Sequence, residues 1–135
     1  MDLLNTLNDF AEGFDIQLKT LDNSYLNDNY ELGTLAEGET MILTVDWIGR
    51  SESSGKRIHG LTKIVGTNVS GTVSFLGVDG GHTNIYDPVA ETGLETAELL
   101  YGAASGTISI EVQGVDGEGD MNWYLNIKSK KIVLP

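Results

Sequence analysis

The chain has 135 residues, no cysteine, and twenty acidic against eight basic side chains, for a formal net charge of −12 at pH 7. Disulfides and thiolate-held metals are excluded, and a charge of this sign repels nucleic acid and anionic membranes. With no run of about eighteen apolar residues, membrane insertion is not expected, and the length suits one domain with its own core.

The N-terminal "MDLLNTLNDF" has neither a basic n-region nor a long apolar h-region, so it does not read as a signal peptide. Across "DLLNTLNDFAE", Leu3, Leu4, Leu7, Phe10 and Ala11 recur at helical spacing, which predicts a short amphipathic helix over 1–13 with Asp2 capping it and Gly13 ending it. A helix this short is unstable alone, so Leu3, Leu7 and Phe10 are expected to dock on the domain or on a neighbour.

From Phe14 the apolar period changes from 3.6 to 2. Phe14, Ile16 and Leu18 alternate, then Met41, Leu43, Val45 and Trp47, then Val73 and Phe75. Ala97, Leu99 and Tyr101 follow, then Ile108, Ile110 and Val112, and finally Met121, Trp123, Leu125 and Ile127. Half-buried strands separated by glycine- and asparagine-rich turns predict an all-β chain: a jelly-roll-like or Ig-like antiparallel β-sandwich over 14–128, with one short N-terminal helix. Trp47 and Trp123 fall on inward faces and are expected in the core. Residues 129–135, "SKKIVLP", read as a basic and apolar C-terminal tail.

Charge is unevenly spread. Residues 1–46 hold ten acids and one base, and residues 68–127 hold nine acids and no base. The bases form two islands, Arg50, Lys56, Arg57 and Lys63, then Lys128, Lys130 and Lys131. One reading is solvated loops and a tail; the other is a basic patch that meets an acidic face of a second copy or a partner.

In "GVDGEGDMNW", Asp116, Glu118 and Asp120 alternate as in a calcium loop. Met121 stands where an EF-hand needs glycine, and no bidentate Glu follows, so the stretch is not an EF-hand. Between two alternating strands it reads as a hairpin loop with positive φ at Gly117 and Gly119. Calcium, held by Asp116, Glu118 or Asp120 with a distant acid, is the alternative. "LDNSYLNDNYE" is a second oxygen-rich loop, in which Asp22 and Asp28 are either Asx-turn residues or calcium ligands. "VDGGHTNIYD" reads as a turn, because His82 lacks the second His or Cys that a zinc site needs. The fold itself requires no cofactor.

Two longer stretches, "NDNYELGTLAEGETMILTVDW" (27–47) and "ELLYGAASGTISIEVQGVDGEGDMNWYLNI" (98–127), carry a pattern of turns and alternating strands. The pattern resembles the entry and exit of the bacterial pre-peptidase C-terminal domain. Ile108 replaces that family's usual aromatic, Trp123-Tyr124 stands for a single Tyr, and the middle segment "GRSESSGKRIHGLTKIVGTNVSG" departs from it. The resemblance implies a small jelly-roll-like sandwich that binds calcium or a polysaccharide beside a secreted hydrolase.

Catalytic motifs are lacking. Ser51, Ser53 and Ser54 precede His59 without a nucleophile elbow, and there is no P-loop and no H-E-x-x-H. The expected function is therefore a non-catalytic structural or interaction protein, a subunit of a virion surface or an extracellular appendage, with protein partners or self-association. Its contacts would use the helix stripe, Arg50, Lys56, Arg57, Lys130, Lys131, and the Ile132–Leu134 segment adding to a sheet edge. The alternative is a calcium- or carbohydrate-binding accessory domain with Tyr86 and Tyr124 near the ligand.

Overall fold

The computed structural model describes residues 13–24, 30–76 and 82–133, with backbone alone for 82–86. The expected helix with Leu3, Leu7 and Phe10, and also Asp28 and Leu134, lie outside the described residues. Nine strands form: β1 (Phe14–Thr20), β2 (Tyr30–Thr34), β3 (Glu39–Ser51), β4 (Arg57–Val69), β5 (Thr72–Leu76), β6 (His82–Ala90), β7 (Glu98–Ala104), β8 (Thr107–Gln113) and β9 (Met121–Val133). They pair antiparallel throughout, in a large sheet ordered β1-β9-β3-β4-β5 and a small one ordered β2-β8-β7.

Strand β6 also pairs with β4, on the same edge as β5. Leu76 lies opposite Val65 and His82 opposite Ile64, so β5 and β6 together make one return strand along β4, with residues 77–81 interposed between neighbouring pairs.

The alternation read from the sequence holds in β3, β8 and β9. Met41, Leu43, Val45, Trp47, Ile108, Ile110, Val112, Met121, Trp123, Leu125 and Ile127 are all buried. The two indoles pack at 6.1 Å between centroids, tilted by 39°. Each buried N–H is satisfied: Trp47 Nε1 donates to Thr62 Oγ1 at 3.1 Å, and Trp123 Nε1 donates to Thr20 Oγ1 at 3.0 Å. Room for the rings comes from glycines on the paired strands. Gly60 lies opposite Trp47, and Gly49 opposite Trp123. A Cβ at Gly49 would sit 2.9 Å from the Trp123 ring, and one at Gly60 would run into the Trp47 indole.

Strand β4 is a finding that the sequence pattern hid. Its inward positions are Ile58, Gly60, Thr62, Ile64, Gly66 and Asn68, all buried and only two of them apolar side chains in the usual sense. Gly66 faces Ile108 and Phe75, and Asn68 donates to the Leu35 carbonyl at 2.8 Å while accepting from the Gly71 amide at 2.9 Å. The following Ser70 and Gly71 both take positive φ, as do Ser105 and Gly106 between β7 and β8. That is the conformation of a two-residue hairpin turn whose twist matches the strands.

The expected tail is corrected. Lys130, Lys131 and Ile132 belong to β9, paired with Ile42, Met41 and Thr40 of β3. β3 is thirteen residues long, and its backbone groups need an equally long partner. β1 pairs only with Met121–Ile127, so beyond that stretch β9 has one described neighbour, β3, and its other flank is open among the described residues. The lysines there suit a strand edge, because charge discourages further pairing.

Gly60→Ala is expected to destabilise by about 1–3 kcal/mol through overpacking against Trp47. Gly102→Ala, whose Cβ would meet nothing within 4 Å, should be neutral or slightly stabilising. Urea midpoints of the two variants measure the contrast.

Candidate functional site

The acidic hairpin loop lies at one end of the sandwich, where four connections meet. Gly117 and Gly119 have positive φ, +83° and +79°, as a turn of this kind requires. The loop is tied to its neighbours by backbone and hydroxyl groups. Ser51 Oγ donates to the Glu118 carbonyl at 2.6 Å, Glu52 N to the Asp120 carbonyl at 2.9 Å, and Gly114 N to the Ser24 carbonyl at 3.1 Å. Asp22 Oδ1 accepts the Gly117 amide at 2.9 Å, so this acid anchors the β1–β2 connection to the hairpin.

The carboxylates of the loop diverge. Glu118 turns to Lys56 Nζ at 3.5 Å and Asp120 to Lys19 Nζ at 3.8 Å, while Asp116 is exposed. Lys19 also reaches Glu52 at 3.1 Å, and Asn122 donates to the same Glu52 oxygen at 3.0 Å. These two contacts, the Asn122 hydrogen bond foremost, hold the Glu52 carboxyl below the usual glutamate range. Among the described residues no group of three or more His or acidic side chains converges as a metal ion needs. As arranged, the cluster locks loops together.

At the neighbouring corner, Arg57 and Glu91 form a clamp. Arg57 Nη2 and Nε donate to Glu91 Oε1 at 2.7 and 3.2 Å, and the Arg57 amide donates to Oε2 at 3.1 Å. The guanidinium hydrogen bonds are the main cause that holds the Glu91 carboxyl low, and the same bonds push Arg57 up.

The outer face of the large sheet gathers most of the predicted cations. Register places Lys19, Asn122, Arg50 and Arg57 in one transverse row, and Lys128, Thr44 and Lys63 in another. With Lys130 opposite Ile42, six of the eight bases of the chain share this face. Its acids, on β1, β3, β4 and β9, are Asp15 and Asp46. Arg50, Lys63 and Lys128 make no ion pair among the described residues, whereas Lys130 is buried. Two predicted contact lysines lie elsewhere. Lys56 is in the loop cluster, and Lys131 reaches over the sandwich end to the Thr34 carbonyl at 3.0 Å. Ile132 lies opposite Thr40 in the ladder. Lys63 and Lys128 belong with Arg50 and Arg57, and the signal that would have joined them is the period-2 parity of β4 and β9.

Between the two basic rows lies a groove of about 500 Å³ lined by Gln17, Asp46, Ile48, His59, Tyr124 and Asn126. Tyr124 is 46% exposed in it; Tyr86 pairs with Leu61 in the ladder, and its side chain is not described. A second cleft, of about 880 Å³, opens between β6 and β7, with Phe75, Tyr101, Pro88, Thr96 and Glu98 in its walls. Desolvation there pushes the Tyr101 hydroxyl up. Ser51 has the inward parity of β3 and bonds to the Glu118 carbonyl, while His59 is exposed on the outer face, so the two do not approach as a nucleophile and its base.

No family model matches the sequence, and no curated protein matches it. Solved structures with partial likeness include phage tailspike proteins. Gp49 of Acinetobacter baumannii bacteriophage Fri1, a capsular polysaccharide depolymerase, aligns with TM-score 0.42 and 12% identity over 89% of this chain and 19% of that one. The Acinetobacter baumannii phage AM24 tailspike aligns with TM-score 0.39 and 11% identity over 89% of this chain and 26% of that one. The Acinetobacter phage vB_ApiP_P1 tailspike aligns with TM-score 0.42 and 9% identity over 86% of this chain and 22% of that one. The chain thus spans about a fifth to a quarter of the length of each.

The lowered Glu52 and Glu91 carboxyls set a sign for acid sensitivity. A carboxyl held low in the fold stabilises it fully above the ordinary glutamate range, and that contribution is lost as pH falls through the lowered value. Glu91→Gln should therefore melt below the wild type at neutral pH, with the gap closing on acidification. Melting temperatures from pH 7 to about pH 3 read this directly.

Proposed function

We propose that this chain is a non-catalytic structural and interaction protein, one subunit of a larger assembly of the virion-surface or extracellular-appendage kind. The observation that carries the reading is the segregation of charge. A chain of net charge −12 places six of its eight bases on one sheet face, with Lys19, Arg50, Arg57 and Lys63 exposed there and Lys130 buried. Such a face adds little to the stability of the monomer, since exposed charges interact weakly through water. It does orient and attract a negatively charged surface. The cross-linked loops at the sandwich end supply the rigidity that a building block needs.

A second reading, a carbohydrate-binding accessory domain, is favoured by the outer-face groove. There the exposed Tyr124 ring lies beside Asp46, Asn126 and Gln17. A sugar ring would stack its C–H face on the tyrosine while the amides and carboxylate meet its hydroxyls.

Sedimentation velocity at tens of micromolar discriminates the two. The first reading expects concentration-dependent association, and a monomer throughout would count against it. Under the second, glycan binding would fall about two- to tenfold in Tyr124→Ala, from loss of a stacking contact worth on the order of 0.5–1.5 kcal/mol.

A further inference from the structure

We infer that the assembly is built by the outer face of the large sheet of one copy packing on the outer face of the small sheet of the next. This rests on the assembly reading above and adds the interface. The small sheet presents the complementary surface. Its outward positions are Glu98, Leu100, Gly102 and Ala104 on β7, Thr107, Ser109, Glu111 and Gln113 on β8, and Glu31 and Thr34 on β2. Three are carboxylates and none is basic. Among the described residues Glu31, Glu98 and Glu111 take part in no ion pair.

Shape agrees with charge. Long Arg50, Lys63 and Lys128 side chains on one face would meet a surface whose carboxylates are separated by Gly102, Ala104 and Thr107. Sheets stack about 10 Å apart, and cationic side chains of this length bridge that gap when the opposing residues are small. The other pairings fail on sign. Two large-sheet faces would oppose cations to cations, and two small-sheet faces would oppose carboxylates to carboxylates.

The contact is heterologous, so a pair of copies keeps one unused face of each kind. Growth then gives an open stack or a closed ring, and not an isolated two-fold dimer. Exposed charge pairs are screened within a Debye length of about 8 Å at physiological salt, so association should weaken strongly as salt rises.

A charge-swap experiment tests this, with sedimentation velocity on the whole chain and circular dichroism confirming that each variant keeps the wild-type β spectrum. One variant carries Lys63→Glu and Lys128→Glu, the other Glu98→Lys and Glu111→Lys. Wild type should associate, each variant alone should associate about tenfold or more weakly, and the equimolar mixture should associate again, because each reversed face finds a reversed partner. If wild type associates and both variants associate equally well, this interface is overturned while the assembly reading stands. If wild type and the mixture are both monomeric, the interface and the assembly reading fail together.

Discussion

The two indoles of Trp47 and Trp123, seated over Gly60 and Gly49 and held by the hydroxyls of Thr62 and Thr20, are the constraint on which the sandwich depends. Each ring needs three things at once: a glycine on the adjoining strand, a hydroxyl within reach of its N–H, and the other ring to pack on. The register that supplies the glycines is the register that pairs β4 with β3 and β3 with β9. A one-residue slip would turn every side chain of the slipped strand to the other face and part each indole from its glycine and its hydroxyl. Removing a large core aromatic costs about 3–5 kcal/mol, set against total stabilities of about 5–15 kcal/mol.

The same register decides the chemistry of the surface. Because Gly60 must face inward, His59, Leu61 and Lys63 face outward, and because Trp123 must face inward, Asn122, Tyr124, Asn126 and Lys128 face outward. Core packing thereby assembles a groove and two basic rows from residues that are remote in sequence. The loops at the sandwich end follow from it as well. With β3 and β9 aligned over thirteen residues, Ser51 arrives beside Glu118, and Glu52 beside Asp120 and Asn122. The acidic hairpin is thus held by hydrogen bonds from the β1–β2 and β3–β4 connections and by Lys19 of β1 and Lys56 of the β3–β4 connection.

Much of the fold was legible in the sequence, and the gaps have a physical pattern. β3, β8 and β9 announce themselves by apolar residues at alternate positions, and their inward faces are those that the pattern indicates. The turn at Gly117 and Gly119 was legible from glycine placement. β4 was not, although it lies between β3 and the β5–β6 return strand, because Gly60, Thr62, Gly66 and Asn68 occupy its inward positions. Those residues serve the bulky groups of other strands and leave no apolar period of their own. β6 carries Pro88 and two register shifts, which also erase an alternating pattern. Lys130, Lys131 and Ile132 looked like a tail because the lysines interrupt the apolar alternation, yet backbone pairing with β3 runs through them.

The sequence by itself determined the all-β class, the inward faces of three principal strands, the positive-φ turn of the acidic loop and the clustering of bases into two islands. Those properties depend on neighbours in the chain, through side-chain alternation and the conformational freedom of glycine. Tertiary structure alone decided that Arg50, Arg57 and Lys63 of one basic island share a sheet face with Lys128 and Lys130 of the other, that Asp22 anchors a hairpin far along the chain, and that the loop carboxylates turn to different cations. Each of these requires knowing which strands are adjacent and in what register, and that information resides in the fit of two tryptophans to two glycines across strands.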